Sequence, residues 1–171
     1  MQNHPQLSSK EGVAAMQRVL GAFSFRRPVI GYCQSMNILT GNLLLLFPGS
    51  ISSADTETGT EGEQRAFWFL DTLIDSVLPP DYYTPSMIGI RADMQILVHL
   101  ANKTMPRLME HFKKLGIDLG LTSMSWLLCM FAETLPREIA IRVWDYLVLE
   151  GRAVLFRIAL GLLHIHMEAI L

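Results

Sequence analysis

Apolar residues recur at helical spacing along nearly the whole 171-residue chain, and this periodicity limits the fold more than any other feature. The spacing is typical of amphipathic helices, each of which buries one apolar stripe. No segment alternates with the period of two that a half-buried strand shows. The sequence therefore predicts an all-α fold of about eight helices, packed ridges into grooves, with no sheet.

Prolines and glycines divide the periodic sequence into segments, since proline disfavours a helix at the residue before it and glycine accepts the left-handed conformation at a helix end. The pattern Ser8 to Glu11 predicts a capping box with Ser8 as the N-cap, and Thr122 or Ser123 is predicted to cap a later helix. The predicted helices span residues 8–27, 36–47, 63–77, 85–101, 106–115, 122–131, 136–150 and 152–171.

Residues 49–62 consist of Ser, Thr, Gly, Asp and Glu with almost no apolar side chain. This composition predicts an exposed, flexible acidic loop. The remaining segments predict a single helical domain over residues 1–171. The last helix carries no stop signal, so we expect the chain to end inside it or just after it.

Composition excludes several classes of protein. Half of the residues are hydrophobic and 18% are charged, which excludes intrinsic disorder. Two cysteines, Cys33 and Cys129, are too few to staple a chain of this length, and they favour a reducing, cytoplasmic setting. The net charge of −2 lacks the basic excess of a nucleic-acid-binding protein, so we expect no nucleic acid as a partner.

A mean hydropathy of +0.30 raises the question of a membrane-spanning helix. The longest apolar stretch, residues 153–170, is interrupted by Arg157, His164, His166 and Glu168. Because a spanning helix needs about 20 predominantly apolar residues, we expect no integral membrane segment.

The sequence lacks the usual patterns for nucleotide and metal binding. It contains no glycine-rich phosphate loop and no His-Glu-x-x-His pattern. His164 and His166 point to different faces of a helix, and we expect one to be partly buried and the other solvated. Asp71 and Asp75 share a helical face, which we interpret as a solvated one. We therefore expect no metal site and no cofactor.

Two segments combine polar and aromatic residues in an otherwise apolar chain. Residues 31–37, Gly-Tyr-Cys-Gln-Ser-Met-Asn, form either a structural hydrogen-bond network or a site, since buried polar groups need partners. In the second segment, residues 142–157, the aromatic and apolar side chains are interpreted as core. Its charged residues suggest a partly buried ion-pair network of Arg142, Asp145, Glu150 and Arg157.

These segments carry a family resemblance. Tyr-Cys-Gln-Ser-Met-Asn at residues 32–37 resembles the Tyr-Cys-Gln-Gly-Met-Asn motif of TBC domains, the GTPase-activating proteins of Rab GTPases. A second TBC motif resembles Arg142-Val-Trp144-Asp145 with Glu150-Gly151, which we assign as a structural motif. Residues 125–136 resemble the segment between the two motifs. The ordered set covers nearly the whole chain and implies the all-helical TBC fold.

The resemblance implies a mechanism in which the domain supplies two side chains to the GTPase. In the family, a glutamine of the Tyr-x-Gln motif positions the attacking water, and by motif this residue is Gln34. A neutral amide both donates to and accepts from water, which suits the role. Tyr32, Ser35 and Asn37 would be partner-binding residues beside it, with Asn37 fixing the loop. GTP and Mg²⁺ would be carried by the GTPase, so the domain itself would need no cofactor.

The family's second side chain is an arginine from an Ile-x-x-Asp-x-x-Arg motif, and this motif is absent from the sequence. Arg18, Arg26 and Arg27 precede Gln34 without that context, and Ser35 replaces the family's glycine. We expect the arginine motif to lie upstream of residue 1. The chain alone would then be a weak or inactive activator, not itself a nucleotide hydrolase. The alternatives are a catalytically impaired scaffold that binds a GTPase or another partner, and an all-α structural domain.

Overall fold

The computed structural model describes residues 4–47, 49–51 and 57–171. Eight α-helices fill this part of the chain, and it contains no strand, which confirms the predicted fold class. The helices are α1 (Lys10–Arg26), α2 (Met36–Leu46), α3 (Glu57–Thr72), α4 (Ile88–Thr104), α5 (Pro106–Leu115), α6 (Leu119–Leu128), α7 (Arg137–Glu150) and α8 (Ala153–Ile170). A π-helical turn, Leu73–Val77, continues α3.

Helices α1, α2 and α3 pack against one another and form the first half of the core. The N-cap of α1 is Ser9, whose hydroxyl accepts from the Gly12 N–H at 3.0 Å, so the predicted cap at Ser8 is off by one residue. The apolar stripe of α1 contributes Ala15, Val19 and Phe23, all buried. This packing places the C-terminal end of α1 beside α3.

The second half of the fold surrounds α4, which contacts α5, α6 and α8. The N-cap of α6 is Asp118, whose carboxylate accepts from the Leu121 N–H at 3.3 Å, so the prediction of Thr122 or Ser123 is wrong. Helix α4 begins at Ile88, three residues after the predicted start at proline. A satellite core joins α4, α5, α6 and α8 through Ala101, Met105, Leu108, Phe112, Leu119 and Leu163.

The predicted acidic loop at residues 49–62 is wrong in its second half, because α3 begins at Glu57. Gly62 is buried inside this helix against Ser50, and a Cβ at position 62 would lie 2.2 Å from Ser50 Oγ. The Ser50 hydroxyl donates to the Phe47 carbonyl at 2.7 Å, so this turn is ordered against the helix. The polar composition of residues 57–62 therefore does not reveal the helix that they form. Residues 52–56 lie outside the described part of the chain.

Helix α8 has the length and composition of a membrane span, with a mean hydropathy of 1.6 over 18 residues. This finding differs from the sequence-based expectation that no segment spans a membrane. The two charged residues that interrupt the helix, Arg157 and Glu168, are too few to exclude a span by composition. In the structure one face of α8 packs on α4, α6 and α7 through Leu155, Ala159 and Leu163. Its apolar composition therefore serves the domain core on that face.

The contact between Gly62 and Ser50 predicts the effect of adding one methyl group. Gly62→Ala should lower the free energy of unfolding by about 1–3 kcal/mol, because the new Cβ overpacks against the Ser50 backbone as well as its hydroxyl. Gly21→Ala is the matched control, since no atom lies within 4 Å of its Cβ position in α1. There the higher helix propensity of alanine should add about 0.5–1 kcal/mol. Urea unfolding measures both, and equal effects of the two substitutions would contradict the contact.

Candidate functional site

The Tyr-Cys-Gln loop begins where α1 is fastened to α3. Asp71 on α3 is buried and accepts from Arg27 Nε at 2.7 Å and Nη2 at 3.1 Å, and from Arg26 Nε at 3.1 Å. Arg27 Nη1 also pairs with Asp75 Oδ1 at 2.7 Å. The interpretation of Asp71 as solvated is therefore wrong. Two cations from the end of one helix are held by a carboxylate of another.

Electrostatics agree with this geometry. The hydrogen bond from Arg27 holds the pKa of the Asp71 carboxyl below its usual value, although burial opposes the shift. The guanidinium of Arg26 also lies over the Trp68 ring, 4.9 Å from its centroid. Positive charge at the C-terminal end of α1 is favourable in addition, because the helix dipole is negative there.

A compact turn leads from this clamp to the loop. The N–H groups of Ile30 and Gly31 both donate to the Arg27 carbonyl, at 3.0 and 2.8 Å. Gly31 has a φ of +61°, a conformation that glycine adopts without steric cost. The chain then turns into α2 at Met36, whose buried thioether accepts from the Cys33 N–H at 3.4 Å. The loop backbone is thus held at both ends.

Gln34 lies at the apex of this loop, exposed, two residues before α2 begins. Tyr32 is also exposed, with 57% of its surface accessible. The structure brings these two predicted site residues to one surface.

Ser35 is buried, whereas the predicted partner-binding role places it at the surface. Its φ is +88°, in the left-handed region that favours glycine, and only 4% of its surface is accessible. Its hydroxyl donates to the Leu128 carbonyl at 3.4 Å, and Tyr83 Oη donates to the same oxygen at 2.6 Å. The assignment of Ser35 as a partner-binding side chain is therefore wrong. It joins the loop to the end of α6.

Asn37 lies in the first turn of α2 and lines a cavity of about 240 Å³ together with Asn42, Glu133 and Arg137. The loop is held by Ser35 and Met36, and the predicted role of Asn37 in fixing it stays a prediction. The pocket gives Asn37 polar neighbours from the segment before α7.

The Arg-Val-Trp-Asp segment supports the site from α7. Trp144 is buried, and its indole Nε1 donates to the Met130 carbonyl at 3.0 Å. Met130 and Phe131 both have positive φ, at 47° and 63°, directly after α6. Trp144 thus contacts the strained turn that follows the Leu128 carbonyl, and its assignment to a structural motif stays a prediction.

The predicted ion-pair network of this segment is wrong. Arg142 and Asp145 form an exposed pair at 3.8 Å, and Glu150 pairs separately with Arg157 at the surface. Helical geometry explains the separation, since positions three apart meet on one helix while Arg157 reaches Glu150 from α8. Gly151 ends α7 with a φ of +77°.

Sequence reasoning missed the buried ion pair of the second half of the fold. Arg152 Nη1 donates to Asp93 Oδ1 at 2.6 Å, and Asp93 is fully buried in α4. Burial raises the pKa of the Asp93 carboxyl, while Arg152 opposes the shift. Asp93 lies between Ile90 and Leu97 on one apolar stripe, and a charge at such a position signals a buried partner.

Within the described ranges, no group of three His, Cys, Asp or Glu residues is arranged to hold a metal ion. His164 and His166 are both exposed, so the expectation that one is partly buried is wrong. Cys129 is buried and Cys33 half-buried, and desolvation raises the pKa of the Cys129 thiol to about 12.

The helical fold, the exposed Tyr-Cys-Gln loop and the buried tryptophan of the Arg-Val-Trp-Asp segment define a TBC-type helical domain. The sequence matches the RabGAP-TBC family, described as the Rab-GTPase-TBC domain, over residues 1–171. The chain belongs to this family.

Individual relatives agree with the match. TBC1 domain family member 2B of Xenopus tropicalis is 35% identical over 168 residues, which are 98% of this chain and 16% of that protein. The crystal structure of the Chlamydomonas flagellar RabGAP TBC domain is 34% identical with a TM-score of 0.81, and the alignment covers 98% of this chain and 51% of that one. The Ypt/Rab-GAP domain of Gyp1p shares the fold, with a TM-score of 0.86 at 21% identity, over 99% of this chain and 57% of that one. The chain thus spans about half of each solved structure.

The backbone of Ser35 predicts that glycine is better there. Ser35→Gly should raise the free energy of unfolding by about 0.5–1 kcal/mol, because a side chain in the left-handed region costs about 1–2 kcal/mol and the lost hydrogen bond is long. Ser35→Ala keeps the strain and loses the hydrogen bond, so it should be destabilising. Thermal unfolding compares them, and a glycine variant less stable than the alanine variant would refute the strain.

The Asp71 clamp predicts a pH-dependent loss of stability. Asp71→Asn should lower the free energy of unfolding at pH 7 by about 3 kcal/mol, since it removes the buried carboxylate that Arg26 and Arg27 share and leaves Arg27 only its pair with Asp75. The native pKa of Asp71 is lowered, so its contribution is complete above the unfolded value of about 3.9 and is lost as pH falls through the native value. The difference between wild type and variant should therefore shrink in acid.

Asp75→Asn is the matched control for the clamp, because Asp75 is half-exposed and pairs with one of the same two arginines, Arg27. It should cost less than about 1 kcal/mol. Urea unfolding at neutral and acidic pH measures both variants. A loss at Asp71 that is no larger than the loss at Asp75, or one that does not vary with pH, would contradict the clamp.

Proposed function

We propose that this chain acts on a Rab-family small GTPase as a GTPase-activating module, with Gln34 positioning the hydrolytic water in trans. The observation that carries the proposal is the placement of Gln34. Its side chain is exposed at the apex of a loop whose backbone is fixed on both sides. A side chain held in this way reaches into a partner's site with little loss of backbone entropy.

The chemistry of an amide fits this role. Its oxygen accepts from the attacking water and its NH₂ donates, without competing as a nucleophile. The partner GTPase would carry GTP and Mg²⁺, so the module would need no cofactor of its own. Exposed Tyr32 lies beside Gln34, where it would contact the partner. Recruitment to a membrane would follow from the partner, with the chain itself cytoplasmic.

The arginines that precede Gln34 support a limit on this activity. Arg18 donates to Glu63 through Nε at 2.9 Å and through Nη2 at 2.6 Å, while Arg26 and Arg27 are held by Asp71. Each is engaged with α3 and faces a carboxylate. An arginine finger is worth about 10³–10⁵ in rate, and an arginine paired with α3 would have to leave its carboxylate to supply it.

The paired arginines also favour a second candidate function. A TBC-like module in which these three arginines stay paired with α3 would bind the GTPase, or another partner, as a scaffold and leave hydrolysis unchanged. The two candidates differ in one measurable quantity, which is the hydrolysis rate of the bound GTPase.

Single-turnover hydrolysis of GTP by a panel of purified Rab GTPases tests the proposal. The 171-residue chain should give a small stimulation, far short of an arginine finger's contribution. Gln34→Ala should abolish it and leave binding to the Rab loaded with a non-hydrolysable GTP analogue unchanged. Gln95→Ala, an exposed glutamine on α4, is the matched control and should keep the full stimulation.

Three results separate the candidates. Stimulation that survives Gln34→Ala, with the fold verified by circular dichroism, would refute the glutamine role. Binding without any stimulation by the wild-type chain would favour the scaffold. Strong stimulation by the chain alone would contradict the absence of an arginine finger.

A further inference from the structure

The corner between α5 and α6 differs in charge from the rest of the chain. Residues 99–121 contain four Lys or Arg against two acidic residues, Glu110 and Asp118, whereas the whole chain carries a net charge of −2. Lys103, Arg107, Lys113 and Lys114 are all exposed. Glu110 pairs with Lys114 at 3.1 Å, and within the described residues the other three make no ion pair. This corner is therefore a local cationic surface on an acidic protein.

The same corner exposes large apolar side chains. Leu115 is the last residue of α5, Ile117 follows it, and Leu121 lies in the first turn of α6, with 59%, 40% and 65% of their surfaces accessible. Their proximity follows from a tight connection. The Ile117 N–H donates to the Phe112 carbonyl at 2.8 Å and the Gly116 N–H to Lys113 at 3.2 Å, with Gly116 at a φ of +70°.

The inner face of α5 anchors this connection. Leu108 and Phe112 are buried against α4, α6 and α8, so α5 presents its cationic outer face and its apolar end from a rigid support. Helical spacing places Arg107 and Lys114 on the same outer stripe, and Lys113 lies about 120° from Arg107 around the exposed side of the helix. A cationic helix with apolar residues at its end matches a surface in which anionic groups cover a hydrocarbon layer.

We infer that this corner binds the surface of an anionic lipid bilayer. Lys103, Arg107 and Lys113 contact the headgroups, while the side chains of Leu115, Ile117 and Leu121 enter the interface between headgroups and acyl chains. Charge complementarity favours this partner, because the corner carries a cationic excess on a chain that is acidic as a whole. The exposed apolar side chains favour a bilayer as the partner over an acidic protein surface, because a protein surface offers no hydrocarbon layer. The inference is independent of the proposed action on a GTPase.

Co-sedimentation of the 171-residue chain with vesicles tests the inference. The chain should bind vesicles of phosphatidylcholine with phosphatidylserine, and bind phosphatidylcholine alone much less. High salt should weaken the binding. Combining Arg107→Gln with Lys113→Gln should lower the affinity about 25-fold, at about fivefold for each cation. Lys10→Gln with Arg65→Gln removes two exposed cations elsewhere and should leave binding unchanged.

The apolar contribution needs its own pair of variants, because α8 and α7 also expose apolar residues. Leu115→Ser with Leu121→Ser should reduce binding at both salt concentrations. Leu149→Ser with Ile165→Ser, on α7 and α8, should have no effect. All four positions are exposed, so each variant should keep the circular dichroism spectrum of the wild type.

Several results would overturn the inference. These are equal binding to vesicles with and without phosphatidylserine, loss of binding only in the α7 and α8 variant, and no binding to any vesicle. Capture on immobilised polyglutamate without binding to vesicles would assign the corner to an acidic protein instead.

Discussion

The buried carboxylate of Asp71 is the interaction on which the candidate site depends. It accepts hydrogen bonds from Arg26 and Arg27, which end α1, so it fixes the point from which the chain leaves that helix. The packing of α1 on α3 alone would leave the last turn of α1 free to fray, as helix ends do. With the clamp in place, the eight residues from Pro28 to Ser35 begin and end on rigid elements. The position of Gln34 is therefore set by an ion pair that lies away from it.

Several residues with strained backbone conformations lie on the other side of the same loop. Of the five described non-glycine residues with positive φ, three lie near one carbonyl oxygen: Ser35, Met130 and Phe131. The Leu128 carbonyl accepts from Ser35 and Tyr83, and the Trp144 indole holds the strained turn that follows. Strained conformations persist only where the surroundings over-determine them, and they concentrate at functional sites. The motif tryptophan therefore acts on the site through the turn it supports.

The helices were predictable where proline and glycine break an apolar period, and less so where tertiary contacts decide. Residues 57–62 have the composition of a loop, yet they are helical, and Gly62 packs on Ser50, a contact that local sequence does not encode. Gln34 and Tyr32 were predicted from a motif, and the structure exposes both. The burial of Ser35 was not predictable, because a polar residue in a loop is exposed unless the backbone turns it inward. The ion pairs of Asp71 and Asp93 were not predictable either, because their arginine partners lie far away in sequence.

Two free energies, that of the arginine ion pairs and that of an arginine finger, explain why the arginines near the loop stabilise the fold and do not act in catalysis. An arginine finger contributes about 10³–10⁵ in rate, or about 4–7 kcal/mol of transition-state stabilisation. Moving Arg27 into a partner's site would leave the buried Asp71 with Arg26 alone, and losing a partner from a buried ion pair costs up to about 3–5 kcal/mol. That cost would cancel most of the gain and would also release the end of α1, which positions Gln34. One arginine cannot serve both purposes, so under the proposed function water positioning by Gln34 and charge neutralisation by an arginine would require separate segments of polypeptide.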